Sequence, residues 1–273
     1  MLSRSCLLTL SLLSSVSAQL REAPYSLSLE WNQLVTPTET LSDSLITDLR
    51  VSAPLLRNDR LVSALSLSHQ RQHYDGDMGF DTLVGSGTSL FILYEFTPGW
   101  RLMALNSVRS QHEEGASFSE ALTYSGIQGV WREFESGLLL GAGFGYATGI
   151  TDDTSFFPVL FIDWEFAPHW TLTTRPTPGT RFGPGASLHY AHSDQINLYL
   201  GGRYLSQSFL LKDDHEYEYS TTRLFATLQY TYTNNLSLSA TVGYNLSGEI
   251  RTDDTTTDLA PSPFTALTLS WDF

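Results

Sequence analysis

Two histidines and two aspartates fall inside the ten-residue stretch "SHQRQHYDGD" (68–77). His69, His73, Asp75 and Asp77 are of the types that ligate divalent metals or exchange protons as acid and base. No nucleophile motif accompanies them, and the segment runs into a polar loop, so the spacing does not point to catalysis. A second pair, His189 and His192 in "HYAHSD" (189–194), lies three residues apart. On a strand that spacing places the two rings on opposite faces, which excludes joint ligation. The stretch "DGDMGFD" (75–81) offers the oxygen-rich chemistry that calcium takes, but lacks the full spacing of a helical calcium hand. The glycines of "GAGFG" (141–145) alternate within a strand pattern with no helix after them, which rules out a phosphate-cradling loop. No catalytic residue and no cofactor site is assigned, and the metal status is left unknown.

The composition describes the elements that must carry these residues. The chain has 273 residues, 41% hydrophobic and 12% aromatic, with mean hydropathy −0.11. Only 16% of residues are charged, Lys212 is the sole lysine, and the formal net charge is −14. So acidic a chain lacks the basic footprint that nucleic acid requires. The body contains no stretch of the roughly 18 or more consecutive apolar residues that a spanning helix needs. At the N-terminus, Arg4, the apolar run "CLLTLSLLSSV" and the small residues Val16, Ser17 and Ala18 form a secretory signal. The expected organisation is a signal peptide over 1–18 and one domain over 19–273. Cleavage removes Cys6, the only cysteine, and with it any disulfide or thiolate metal site.

Period-two alternation runs through the rest. "TDLRVSAPL" sets Leu49, Val51, Ala53 and Leu55 against Asp48, Arg50 and Ser52. "RLFATLQYTY" sets Leu224, Ala226, Leu228, Tyr230 and Tyr232 against Arg223, Thr227 and Gln229. Such segments are strands with two different faces. Fourteen are expected, over 25–33, 44–55, 60–70, 87–97, 100–110, 119–132, 137–149, 156–166, 169–176, 183–192, 195–209, 220–233, 236–248 and 263–273, with twelve as the alternative count. "TTRPTP" is expected to cut the ninth short. Tight turns such as "TPG" (97–99) and "APH" (167–169) alternate with longer acidic loops. Short turns at one end and long loops at the other are the pattern of outer-membrane barrels. "YEFTPGWRL" (94–102) echoes "WEFAPHWTL" (164–172) and gathers Tyr94, Phe96, Trp100, Trp164, Phe166 and Trp170 at one rim, where barrels carry aromatic girdles.

The final strand, "ALTLSWDF", places Leu267, Leu269, Trp271 and Phe273 on one face. This stretch resembles the C-terminal assembly signal of Gram-negative outer-membrane β-barrel proteins, and "FFPVLFIDWEF" through "RLFATLQYTY" is similar to small bacterial barrels of unknown function. The resemblance implies residence in the bacterial outer membrane, insertion by the barrel-assembly machinery, and contact with outer-membrane lipids and lipopolysaccharide. The fold expected is all-β, a single antiparallel up-and-down transmembrane barrel. Its lumen should take the strand charges Glu30, Asp48, Arg50, Glu95, Arg101, Arg109, Arg132, Asp163, Glu165, Arg203 and Arg223, because a basic residue facing lipid near the midplane costs about 2–4 kcal/mol. The acidic residues Asp75, Asp77 and Asp81, Glu113 and Glu114, Asp152 and Asp153, Asp213, Asp214, Glu216 and Glu218, and Asp253 and Asp254 are expected in the outer loops, where they could weakly bridge divalent cations to lipopolysaccharide.

Three functions remain open. The first is a passive pore or channel for small solutes, the second a structural or surface barrel with a blocked lumen, and the third an enzyme acting at the rim. The leader reading has a direct check: N-terminal sequencing of the exported protein should start at Gln19, and retention of Met1 would remove it.

Overall fold

The computed structural model describes residues 26–34, 44–74, 80, 82–150, 154–178, 183–252 and 255–272, with the side chains of 26–34 and 44 excepted. The signal segment, Phe273, and the loop acids Asp75, Asp77, Asp81, Asp152, Asp153, Asp253 and Asp254 lie outside the described residues. The alternating segments form β1 (Ser26–Leu34), β2 (Ser44–Arg57), β3 (Leu61–Tyr74), β4 (Thr82–Thr97) and β5 (Trp100–Glu113). They continue as β6 (Leu122–Glu133), β7 (Leu138–Thr148), β8 (Thr154–Ala167), β9 (Trp170–Thr173) and β10 (Gly185–Ala191). The last are β11 (Ile196–Leu210), β12 (Glu216–Thr233), β13 (Leu236–Arg251), β14 (Thr256–Leu259) and β15 (Ser262–Asp272).

From β1 to β13 each strand pairs antiparallel with the next, and β15 pairs with both β13 and β1. The first and last strands join from Ser26↔Asp272 to Leu34↔Phe264, so fourteen strands close into a ring. β14 stands outside it and pairs only with the end of β13, from Gly248↔Leu259 to Arg251↔Thr256. The sequence pattern misses this arm because Thr256, Thr257 and Asp258 carry no apolar alternation. β9 is four residues long, shorter still than its expected span.

Closure gives the alternation its meaning. Leu49, Val51, Leu67, Leu200, Leu228 and Val242 are exposed on the outside, while Asp48, Arg50, Ser66, Thr227 and Thr241 are buried on the inside. Leu267, Leu269 and Trp271 of the terminal strand also face outward. These outer side chains form the apolar band that a hydrocarbon core demands, and the barrel satisfies its backbone internally. At the short-turn end Tyr94, Phe96, Trp100, Trp164, Phe166 and Trp170 are exposed as the expected girdle, and Phe134 is exposed as well. The two echoing turns are built alike. Gly99 at φ 77° and His169 at φ 70° occupy the same left-handed position, which glycine takes freely and histidine takes at a cost.

The register yields a test on adjacent residues. Arg at Leu228 should cost about 2–4 kcal/mol, as lipid-facing basic residues near the midplane do. Arg at Gln229, on the inner face, should cost far less. Equilibrium unfolding in lipid vesicles measures both, and equal tolerance at the two positions would contradict the register.

Candidate functional site

The inner surface of the barrel is the one enclosed surface the fold creates, and its residues come from alternate positions of every strand. At the short-turn mouth Arg101 of β5 lies between two carboxylates, 3.2 Å from Glu95 and 3.1 Å from Glu133. Asp163 of β8 pairs with Arg175, which follows β9. Glu165 shares the inward register of Asp163 but is exposed at the mouth. Deeper in, Asp48 and Arg50 of β2 and Arg109 of β5 are buried, and the charges of Arg109 and Asp48 act on one another. Glu30 stands opposite Asp48 and Thr268 in the ladders; its side chain is outside the described residues. Hydroxyl pairs line the same wall, Ser52 with Ser66 at 2.7 Å and Ser107 donating to Ser89 at 2.8 Å.

Arg203 of β11 and Arg223 of β12 stand directly opposite each other in the ladder. Like charges so placed repel, and each guanidinium is drawn aside. Arg223 donates from Nε to Asn245 at 2.8 Å and lies over the Phe264 ring at 4.6 Å. Arg203 donates to the carbonyls of Gly183, at 3.1 Å, and Arg175.

Arg132 departs from the expected inward set. In β6 it is Trp131 that pairs with the inward Arg101, while Arg132 pairs with Trp100 on the outer face and is exposed. It escapes the cost of a midplane charge because it sits in the girdle, its guanidinium 5.5 Å over Trp100 and 5.0 Å over Phe134. β6 also turns Gln128 outward, where Asn106 Oδ1 accepts from Gln128 and from Tyr146 at 3.1 Å each. A Cβ at Gly126 would collide with both Asn106 and Tyr146, so glycine there makes room for this polar trio.

The sequence reading missed the apolar part of the lumen. Phe91 of β4, Met103 and Leu105 of β5, Ile127 and Trp131 of β6, and Val159 and Phe161 of β8 form one buried cluster on the inside of the wall. The Phe161 ring lies on Gly129 and the Phe157 ring on Gly145, so a glycine on each of β6 and β7 forms the floor on which the rings rest. The signal was present in "LFIL" (90–93) and "FFPVLFI" (156–162), which are apolar on both faces rather than alternating. The lumen is therefore mixed. On β4–β8 this apolar patch lies between the mouth charges Glu95, Arg101 and Glu133 and the buried Ser107 and Arg109, while β1–β3 and β11–β15 present mostly hydroxyls, amides and charges.

At the long-loop end the walls meet. Leu210 of β11 pairs with His112 of β5, and Lys212 reaches Glu113 at 2.8 Å. A second apolar cluster, with Tyr74, Phe80, Leu83, Phe209 and Tyr217, fills that end. Residues 174–178, after β9, turn inward: the Pro178 carbonyl accepts from Thr227 and Thr241, each at 3.4 Å. His189 stacks on Tyr199 at 4.6 Å and meets Asn197 at 2.8 Å, while His192 packs near Tyr190, so the two histidines stay apart. His69 and His73 face outward, at 3.0 Å from Ser86 and 3.2 Å from Thr82. Among the described residues no three His, Cys, Asp or Glu side chains are grouped to hold a metal.

The model of the family described as Domain of unknown function (DUF6268) matches residues 63–259. No curated protein matches the chain in sequence. In fold the chain is similar to the Pseudomonas putida toluene transporter TodX, at TM-score 0.53 and 11% identity over 100% of this chain and 97% of that one. It is similar to the COG4313 outer membrane channel from Pseudomonas putida F1, at 0.53 and 11% over 92% and 96%. A TodX deltaS2S3 mutant monoaromatic hydrocarbon channel gives 0.54 and 10% over 94% of each chain. At these identities the likeness shows the fold, an outer-membrane β-barrel.

The glycine floor is directly testable. Gly129→Val forces a side chain into the Phe161 ring and should cost about 1–3 kcal/mol, as overpacking does. Gly85→Ala meets nothing closer than 3.6 Å and should be tolerated. Heat-modifiable migration against temperature measures the contrast, and equal midpoints would refute the packing.

Proposed function

The chain belongs to the DUF6268 family, and for this member we propose a passive channel that carries small solutes across the bacterial outer membrane. The observation that carries the proposal is an apolar patch inside an otherwise polar lumen, within a lipid-facing barrel. The patch on β4–β8 has Arg101 on one side and Ser107 and Arg109 on the other, so a solute with an apolar body and a polar edge finds a partner for each. The close approach of β5 and β11 favours small cargo. Two of the similar structures are a toluene transporter and a monoaromatic hydrocarbon channel, and the apolar patch makes solutes of that size and character the first to try here. Movement down a concentration gradient needs nothing beyond this path.

We read the protein as a non-enzyme, since the inward His189 is held by Tyr199 and Asn197 rather than beside a nucleophile. Its partners on this reading are membrane lipid and lipopolysaccharide along the outer band, with divalent cations bridging the acidic loops, and the barrel-assembly machinery during insertion. A structural barrel with a blocked lumen is the second reading, favoured by the Leu210–His112 and Lys212–Glu113 contacts across the long-loop end.

Refolded protein in planar bilayers and in vesicles separates the two. A channel should give discrete conductance steps and pass a small aromatic alcohol faster than protein-free vesicles do. Silence in both measurements would leave the structural barrel standing.

A further inference from the structure

On β12, β13 and β15 the outer face is apolar through the middle of the strands, with Leu224, Leu228, Leu238, Val242, Leu267 and Leu269 all exposed. On β5–β7 the same face carries Asn106, Gln128 and Tyr146, each partly buried. Asn106 follows Trp100 of the girdle by six residues in β5, and Gln128 precedes the girdle residue Arg132 by four in β6. At about 3.3 Å per residue and a strand tilt near 40°, the two amides lie about 10–15 Å into an apolar band about 25 Å tall. Hydrocarbon at that depth offers them no hydrogen-bond partner.

The trio satisfies itself only in part. Asn106 Oδ1 accepts from Gln128 Nε2 and from the Tyr146 hydroxyl, which uses both of its lone pairs. The Asn106 Nδ2 donors and the Gln128 Oε1 acceptor are left over, and among the described residues neither has a partner. The amides also stand on low ground. In the ladder Gln128 is paired with Ala104 and Asn106 with Gly126, so the position beside each carries little or no side chain. Gly126 cannot take a Cβ without displacing Asn106 and Tyr146. Small residues let one membrane-embedded surface approach another closely, and polar groups then hold the two together.

We propose that the outer face of β5–β7 is a dimer interface, on which a second copy of this chain seats its own Asn106–Gln128–Tyr146 cluster. Two properties of the cluster select a second copy. Its leftover groups are self-complementary: across a two-fold axis Asn106 Nδ2 of one copy donates to Gln128 Oε1 of the other, and the reverse, as an isologous contact requires. Copies inserted the same way also hold the cluster at one depth, so an axis along the membrane normal brings like to like. Lipid headgroups carry hydrogen-bonding groups but begin about 10 Å away on either side. The interface goes beyond the channel reading and holds whether or not the lumen conducts.

The test uses the full chain refolded into lipid vesicles, with folding checked by heat-modifiable migration. Energy transfer between donor-labelled and acceptor-labelled copies, over a range of protein-to-lipid ratios, reads self-association. The wild type should exceed the transfer expected of random proximity. N106L/Q128L should raise the dissociation constant about ten-fold, as loss of paired polar contacts in lipid does. Disulfide capture locates the contact. With Cys6, the sole cysteine, replaced by serine, A104C should cross-link copy to copy under a membrane-permeant oxidant. L228C should not, because β12 lies half way around the fourteen-strand ring from β5. This second measurement leaves the amides in place and decides the matter if N106L/Q128L does not assemble. Transfer at the random level in the wild type at every ratio would overturn the interface. So would N106L/Q128L associating as the wild type does, or A104C cross-linking no more than L228C.

Discussion

A backbone amide or carbonyl left unpaired in hydrocarbon costs several kcal/mol, with no water to take up the bond. Every large feature of this protein answers that constraint. It requires the strands to close, which they do where β1 meets β15 and β12 meets β13. Closure separates an inside from an outside, and the two-residue period of a strand then assigns each side chain to one or the other. Leu228 and Thr227 are neighbours in the chain, yet one meets lipid and the other is 2% exposed in the lumen. The register breaks at Pro54/Leu56, Glu95/Thr97, Glu165/Ala167 and Thr231/Thr233 fall beside the short turns, where bending the strand does least harm to the spanning ladder, and a further break at Thr222/Arg223 lies within β12.

The ring and its lipid-facing band were legible in the sequence because both follow from alternation. Fourteen strands, the girdle and the outward stripe Leu267–Leu269–Trp271 all follow from period two and from the spacing of turns. The interior was legible only where it is polar. Phe91, Val159 and Phe161 sit in runs that are apolar on both faces, and such runs do not say which residue faces lipid until the strand has neighbours. Arg132 was misplaced for a related reason. β6 carries Gln128 on its lipid side and Trp131 on its lumen side, so polarity alone gives the wrong parity. Only the pairing of Trp131 with Arg101 fixes it. The inward turn was visible as the prolines of "RPTPGTRFGP" (175–184), but no local signal says that a shortened strand will send the residues after it into the barrel.

The glycines of β6 and β7 show how the lumen accommodates large rings without widening the barrel. Gly129 and Gly145 lie beneath the rings of Phe161 and Phe157. Bare backbone lets each ring lie against the sheet, where dispersion contacts are dense and the lumen loses least cross-section. Larger side chains at these positions would lift the rings toward the opposite wall. The apolar stripe is therefore a property of three strands acting together: β8 supplies these rings, and β6 and β7 supply the absence of side chains beneath them.

The shortness of β9 and β10 bears on how the outer end closes. Among the described residues, Thr154–Phe161 of β8 pair with β7 alone, and β11 beyond Tyr204 pairs with β12 apart from the single Leu210–His112 bridge. An open strand edge cannot lie against lipid; it must be covered by protein or line a cavity. β11 meets that requirement by leaving the outer surface. Leu205, Ser206, Gln207, Ser208, Phe209 and Leu210 are all buried, and Gln207 meets Gln70 of β3 at 3.5 Å across the barrel. With no β10 beside it, the upper part of β11 leans onto β3–β5 and brings Lys212 to Glu113. Residues 174–178, which follow β9, lie inside instead, where Pro178 O accepts from Thr227 and Thr241. Arg203 donates to the carbonyls of Arg175 and Gly183, at the points where the chain leaves and rejoins the sheet, so the donors missing from the shortened ladder come from a side chain of the next full strand.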